Sequence, residues 1–259
     1  MGSVDPESKY SFGKERKAII ETVTTAQKKV SRLNRQDIRL AAENLREAYC
    51  KAKSKNINNP SIDIEHIIEQ HLGLNFEVDS IQSRLGIEAS GYLSIPEKTI
   101  VIDAGLESQL GPYRFTAAHE VGHWILHGDQ ESYFSDFGCG EQQLSDVQRM
   151  ESEANYFAAV LLMPAKLVFR CICEYLLSVD NQSNKLFPIL TTPTKRSFHL
   201  WKYQVLPHLT TRFNVSLSSM LFRLLAIHKE IPRLHNPILP ECFKGGLLSA
   251  GNKARSPEF

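Results

Sequence analysis

Hydrophobic and polar positions along the chain change period several times, and each change predicts a different element. From Arg35 the apolar residues Ile38, Leu40, Ala41, Leu45, Ala48 and Tyr49 recur at helical spacing with charges between them, which predicts an amphipathic helix. Asn58, Asn59 and Pro60 end that run. Ser61 or Asp63 can cap a second helix over Ile64 to Leu72, and Gly73 stops it. The period then shortens to two. Asn75 to Asp79, Ala89 to Ser94 and Lys98 to Asp103 read as short strands, with Pro96-Glu97 turning between the last two. In the third strand Thr99, Val101 and Asp103 alternate with Ile100 and Ile102, so it is expected to be half-buried. As an edge strand it could hold an extended peptide by backbone pairing, or serve simply as a sheet strand.

Helical spacing returns near Pro112 and runs to His127, where Gly128 is expected to stop it. An acidic stretch from Asp129 to Asp146 reads as a surface loop or a rim over a cleft. Met150, Ala154, Phe157 and Leu161 form the core stripe of another helix that Pro164 closes. Ala165 to Ser178 reads as a further helix, followed by a polar turn at Asp180 to Asn184. Leu206 or His208 to Phe213, a turn at Asn214 to Ser216 and Leu217 to Leu225 give helix, turn and helix. The pattern predicts an α+β fold, a mainly helical core with a small antiparallel sheet and a C-terminal helical region. The expected organisation is a polar tail over 1–34 with a short helix at Lys14 to Val23, a core over 35–166, a helical region over 167–234 and a loose tail over 235–259.

Composition adds modest constraints. At 259 residues and 42% hydrophobic content the chain can bury a domain-sized core without disulfides. Its five cysteines, Cys50, Cys139, Cys171, Cys173 and Cys242, match neither a CxxC pair nor a secreted disulfide frame, so reduced thiols are expected. No run approaches the length of a membrane span and no signal pattern opens the chain, which predicts a cytoplasmic protein without a membrane partner. The net charge of +1 hides an acidic middle: residues 61–192 carry 7 basic and 19 acidic side chains, between flanks of 13 against 7 and 10 against 3. Those basic flanks are expected to meet the acidic core or water.

The chemistry concentrates in Ala117 to His127, AAHEVGHWILH, which carries His119, Glu120 and His123 as HExxH. Two histidines four apart on a helix lie on one face and can reach one ion, while Glu120 can present a carboxylate beside that ion as a general base. A catalytic metal takes a third protein ligand, and the helix after Met150 offers two carboxylates. Glu151 is favoured, because Asn155 follows it by one turn and could hold a ligating histidine by a hydrogen bond. Glu153, about 200° round the helix from Glu151, is the alternative ligand. His127 falls outside the metzincin spacing and is expected to be a helix-terminal residue whose protonated ring meets the dipole. Two histidines and a carboxylate suit Zn²⁺, with Mn²⁺ or iron also compatible.

RFTAAHEVGHWILHGD followed by ESEANYFAAVLLMP resembles the ImmA/IrrE family of bacterial metallopeptidases, in an R-F-x-x-A-H-E-x-G-H segment and an E-x-E-A-N-x-F-A-x-x-L-L-M-P segment. Arg114, Phe115, Ala118, His119, Glu120, Gly122, His123, Glu151, Asn155, Phe157, Ala158 and Leu161 to Pro164 carry the match. The likeness extends from about Arg35 to Ile227, with Phe213 to Leu225 similar to the family's closing segment. It implies a zinc endopeptidase acting on protein substrates, typically helix-turn-helix repressors in stress or mobile-element responses. In that reading His119, His123 and Glu151 hold the metal and Glu120 takes a proton from water and passes it to the leaving amine. Two rivals are a metal-stabilised docking module and a DNA-binding protein that uses the C-terminal helices. Glu120 argues against the first, since a structural site has no use for an unliganded carboxylate. The apolar second helix of the C-terminal pair argues against the second, so direct nucleic-acid binding is not expected.

Overall fold

The computed structural model describes residues 33–53, 58–128, 141–179 and 194–230, with the side chains of 141–144, 179 and 228–230 left out. Residues 1–32 of the expected polar tail, with the helix at Lys14 to Val23, the turn at Asp180 to Asn184 and the C-terminal tail lie outside the described residues. The chain splits into two compact units, Met1–Ile57 with Ile62–Leu161, and Asn58–Ser61 with Leu162–Phe259. The division falls at the end of a helix, ahead of the boundary after residue 166 expected from the sequence.

The first unit opens with α1 (Arg35–Ala52), whose start is fixed by Asn34: its side chain accepts from the Asp37 backbone N–H at 2.9 Å. Ile38, Ala41, Ala42, Leu45 and Tyr49 form its buried face, while Leu40, expected in that stripe, is exposed. Next comes α2 (Ile64–His66), continued by a π-helical turn over Ile67–His71. Of the two proposed caps it is Asp63 that accepts from the His66 N–H. Gly73 follows at φ 67°, a left-handed conformation that costs a residue without Cβ little.

The sheet comprises β1 (Asn75–Asp79), β2 (Gly91–Ser94) and β3 (Thr99–Asp103) in the order β1-β3-β2. It is mixed rather than antiparallel. β2 pairs with β3 antiparallel through Gly91↔Ile102, but β1 runs parallel to β3, Asn75 opposite Thr99 and Asp79 opposite Asp103. The intervening α3 (Ile81–Leu85), capped by Ser80 and ended by left-handed Gly86, leaves room for that return. β3 is therefore central, and Thr99, Ile100, Val101 and Ile102 are all buried. This overturns the half-buried edge strand: its backbone groups are committed to neighbours on both sides and cannot pair with a peptide.

A short 3₁₀ turn (Ala104–Leu106) leads into α4 (Leu110–His127), which packs on β2, β3 and the first turn of α2. α5 (Glu141–Leu162) begins before the expected Met150, so the end of the anticipated acidic loop is helical and its Asp129-to-Gly140 part lies outside the described residues. The α4–α5 crossing is close at Gly122, where a Cβ would stand 3.1 Å from both the Ala154 Cα and its carbonyl oxygen. Phe157, fully buried, fills the next turn and contributes about 2–3 kcal/mol of apolar burial. At the far end of α5 the buried Arg46 donates to the Leu161 carbonyl at 2.9 Å, and burial pushes its guanidinium down to about 10.

The second unit contains α6 (Ala165–Val179), α7 (Lys195–Leu200), a π-helical turn (Trp201–Val205), α8 (Leu206–Phe213) and α9 (Leu217–Glu230). Left-handed Asn214 ends α8 and the Ser216 hydroxyl accepts from the Ser219 N–H, so the turn between α8 and α9 is closed by side chains. Trp201, Val205, Leu209, Phe213, Met220, Leu224 and Ile227 make the core. Arg223, fully buried, donates through Nε to the Met163 carbonyl at 2.7 Å. Among the described residues, no single helix is long and apolar enough to cross a membrane.

Candidate metal centre

α4 carries three histidines at successive four-residue steps, and the helical twist lines their rings along one face. The centroids of His119 and His123 lie 4.6 Å apart and those of His123 and His127 5.4 Å apart. Ala117, Ala118 and Val121 anchor the rest of the helix in the core. Glu151 arrives from α5 and meets the first two rings: its Oε2 is 3.1 Å from His119 Nε2, and its Oε1 3.1 Å from His123 Nε2. The two Nε2 atoms are themselves 3.0 Å apart. Ligand atoms from His119, His123 and Glu151 all lie within 4.8 Å of one another, a group that could hold a metal ion.

That donor set fits a dication. Two imidazole nitrogens and one carboxylate oxygen converge from a pair of helices, each histidine directs Nε2 inward, and no fourth protein ligand joins the group among the described residues. Asn155, one turn beyond Glu151, places Oδ1 3.1 Å from His119 Nδ1. Since an amide oxygen only accepts, His119 carries a proton on Nδ1 in this contact, which in the neutral ring leaves Nε2 with the lone pair that a metal would take.

The electrostatics follow from burial in a cluster of like and unlike charges. Burial works against a charged Glu151, but when the His119 and His123 rings are protonated, the hydrogen bonds they donate and their charge outweigh it and carry the carboxyl far below its ordinary value. His119 is raised, since the bond to Glu151 with the charges of Glu120 and Glu151 overcomes its burial; His123 is lowered, chiefly by burial. Glu120 is 6% exposed. Burial lifts its carboxyl to about 7, with the His119 charge opposing and Glu151 adding to the rise.

The alternative ligand, Glu153, is not part of the group. It is buried, and its Oε2 lies 3.1 Å from His127 Nε2. His127 is the last residue of α4, as expected, but it is buried, 4% exposed, with its Nδ1 3.3 Å from His123 Nδ1. Gly128 does follow the helix, but at φ −62° rather than left-handed; a Cβ there would meet the Trp124 carbonyl oxygen at 2.5 Å. Arg114 is buried with Asp63 and Glu65 as its acidic neighbours, so its charge serves the start of α2. Tyr156 is buried, with the Arg35 guanidinium 5.0 Å from its ring centroid. The His127–Glu153 pair is what sequence reasoning missed, although the four-residue step from His123 to His127 was a usable signal.

Residues 75–172 match the family model described as the IrrE N-terminal-like domain, a peptidase family. The matched segment contains every residue of the group and its neighbours on α4 and α5. No curated protein matches the chain at a significant level.

Proposed function

We propose, from the match of residues 75–172 to the IrrE N-terminal-like peptidase family and the likeness to the ImmA/IrrE metallopeptidases, that the chain is a zinc-dependent endopeptidase in which His119, His123 and Glu151 hold the ion and Glu120 is the general base. The observation that carries this reading is the convergence of three ligand atoms from two helices beside a buried carboxylate that is not one of them. A dication held there supplies Lewis-acid polarisation of a carbonyl and acidifies water. Glu120, raised towards neutrality, is matched to accept a proton from the attacking water and hand it to the leaving amine. Asn155 keeps the His119 ring turned so that Nε2 remains a donor. Zinc is preferred on ligand type, and Mn²⁺ suits the same donors.

The substrate is a protein, and the likeness in sequence extends the reading to a helix-turn-helix repressor in a stress or mobile-element response. Against direct DNA reading, the exposed side chains of α9 among the described residues are Leu217, Ser218 and Phe222, none of them charged. The test is incubation of the purified chain with the regulator encoded beside its gene, with and without chelator. Cleavage that needs metal and disappears in Glu120→Gln supports the proposal; chelator-insensitive cleavage, or cleavage by the Gln variant at the wild-type rate, contradicts it.

A further inference from the structure

Behind His123, on the side away from Glu151, stands a buried hydrogen-bonded pair with no part in the mechanism so far. Glu153 Oε2 and His127 Nε2 are 3.1 Å apart, and His127 Nδ1 and His123 Nδ1 are 3.3 Å apart. Both side chains are almost fully buried, and the second oxygen of Glu153, Oε1, is buried without a hydrogen-bond partner. A buried carboxylate is costly unless it is paired, and the bond to His127 is what compensates this one.

The chemistry of the end group sets the direction of the whole series. A carboxylate accepts and does not donate, so the His127 proton resides on Nε2. His127 Nδ1 is then a lone pair. It accepts from His123 Nδ1–H, and in the neutral ring the lone pair of His123 is left on Nε2, the atom that faces Glu151 and His119. His119 reaches the same state through the single amide oxygen of Asn155.

We propose that Glu153 and His127 are positioning residues that fix the tautomer and ring orientation of His123, so that its Nε2 is presented as a metal donor. This rests on the reading that His119, His123 and Glu151 hold a dication. Reversing the first bond would reverse the others: a glutamine at 153 can donate its NH₂ to His127 Nε2, which moves the His127 proton to Nδ1 and the His123 proton to the ligating nitrogen.

The test uses the full chain as wild type, Glu153→Gln and His127→Phe. Zinc affinity is measured by competition with a chromophoric chelator, the metal-free fold by thermal unfolding, and the imidazole protons by ¹⁵N–¹H correlation spectra of the zinc-loaded wild type. The expected result is a proton on His127 Nε2 and on His123 Nδ1, with zinc bound roughly 10- to 100-fold more weakly by both variants. A His127 proton found on Nδ1 overturns the proposal, and so does wild-type zinc affinity in Glu153→Gln. A Glu153→Gln chain that loses its metal-free fold also overturns it, because the pair would then be a packing element. Wild-type protein that takes up no zinc defeats the metal reading beneath it, whereas tight zinc in all three chains defeats the positioning role alone.

Discussion

Two helix pairs in this chain give their buried positions to different kinds of side chain. At the α4–α5 crossing, buried positions are given to His123, His127, Glu120 and Glu153 as well as to Val121 and Phe157. In the α8–α9 pair the buried positions go mainly to Leu206, Leu209, Phe213, Met220 and Leu224, and the buried Arg223 spends its charge on a backbone carbonyl. The first pair accepts the desolvation of several ionisable groups, each with a partner or a raised or lowered proton affinity. The second gives its described buried positions to packing. A helix-turn-helix outline is therefore no guide to function here, because side-chain chemistry on the helix faces separates the two regions more sharply than their shape does.

The contrast can be broken most directly at Glu120. Glu120→Gln is expected to lower cleavage by roughly 10²- to 10⁴-fold with zinc content unchanged, measured as single-turnover rate beside metal analysis. The same residue gives a pH signature in chelated protein. Its carboxyl is raised from 4.5 to about 7, so its contribution to stability is fully present below pH 4.5 and is lost as pH rises through 7. Wild type should lose thermal stability relative to Glu120→Gln over that window, by an amount on the order of 3 kcal/mol; parallel curves would remove the buried-base argument.

Smaller effects sharpen the comparison. Arg223→Met leaves the Met163 carbonyl without its charged donor and should cost about 2–3 kcal/mol in urea unfolding, without changing the pH window above. Gly122→Ala pushes a methyl group against the Ala154 backbone and should cost about 2 kcal/mol while also weakening zinc uptake, since it spreads the helices that carry the ligands. An unchanged zinc affinity in that variant would show that the crossing tolerates slack. Phe222→Ser, on the exposed side of α9, should move stability by no more than about 0.5 kcal/mol and leave cleavage intact.

Much of this was legible in the residues. The boundaries of α8 and α9 follow from a capping serine and a left-handed asparagine, local signals that need no tertiary knowledge. Glu151 was separable from Glu153 by its four-residue relation to Asn155, and it is Glu151 that reaches His119 and His123. Strand direction was not legible, since alternation encodes a buried face but not the sense of pairing, and β1 turned out parallel to β3. The five-residue α3 was too short to leave a period. The pairing of His127 with Glu153 depends on how α5 crosses α4, a long-range fact that the spacing along either helix does not contain.

One consequence follows from the ligands' belonging to separate helices. An ion shared by His119, His123 and Glu151 would act as a removable cross-link, tying together stretches of polypeptide that otherwise meet by packing and by the His119–Asn155 and His127–Glu153 hydrogen bonds. Metal supply would then govern how long the folded chain survives as well as how fast it reacts, and starvation for zinc would hasten its turnover before any substrate arrived.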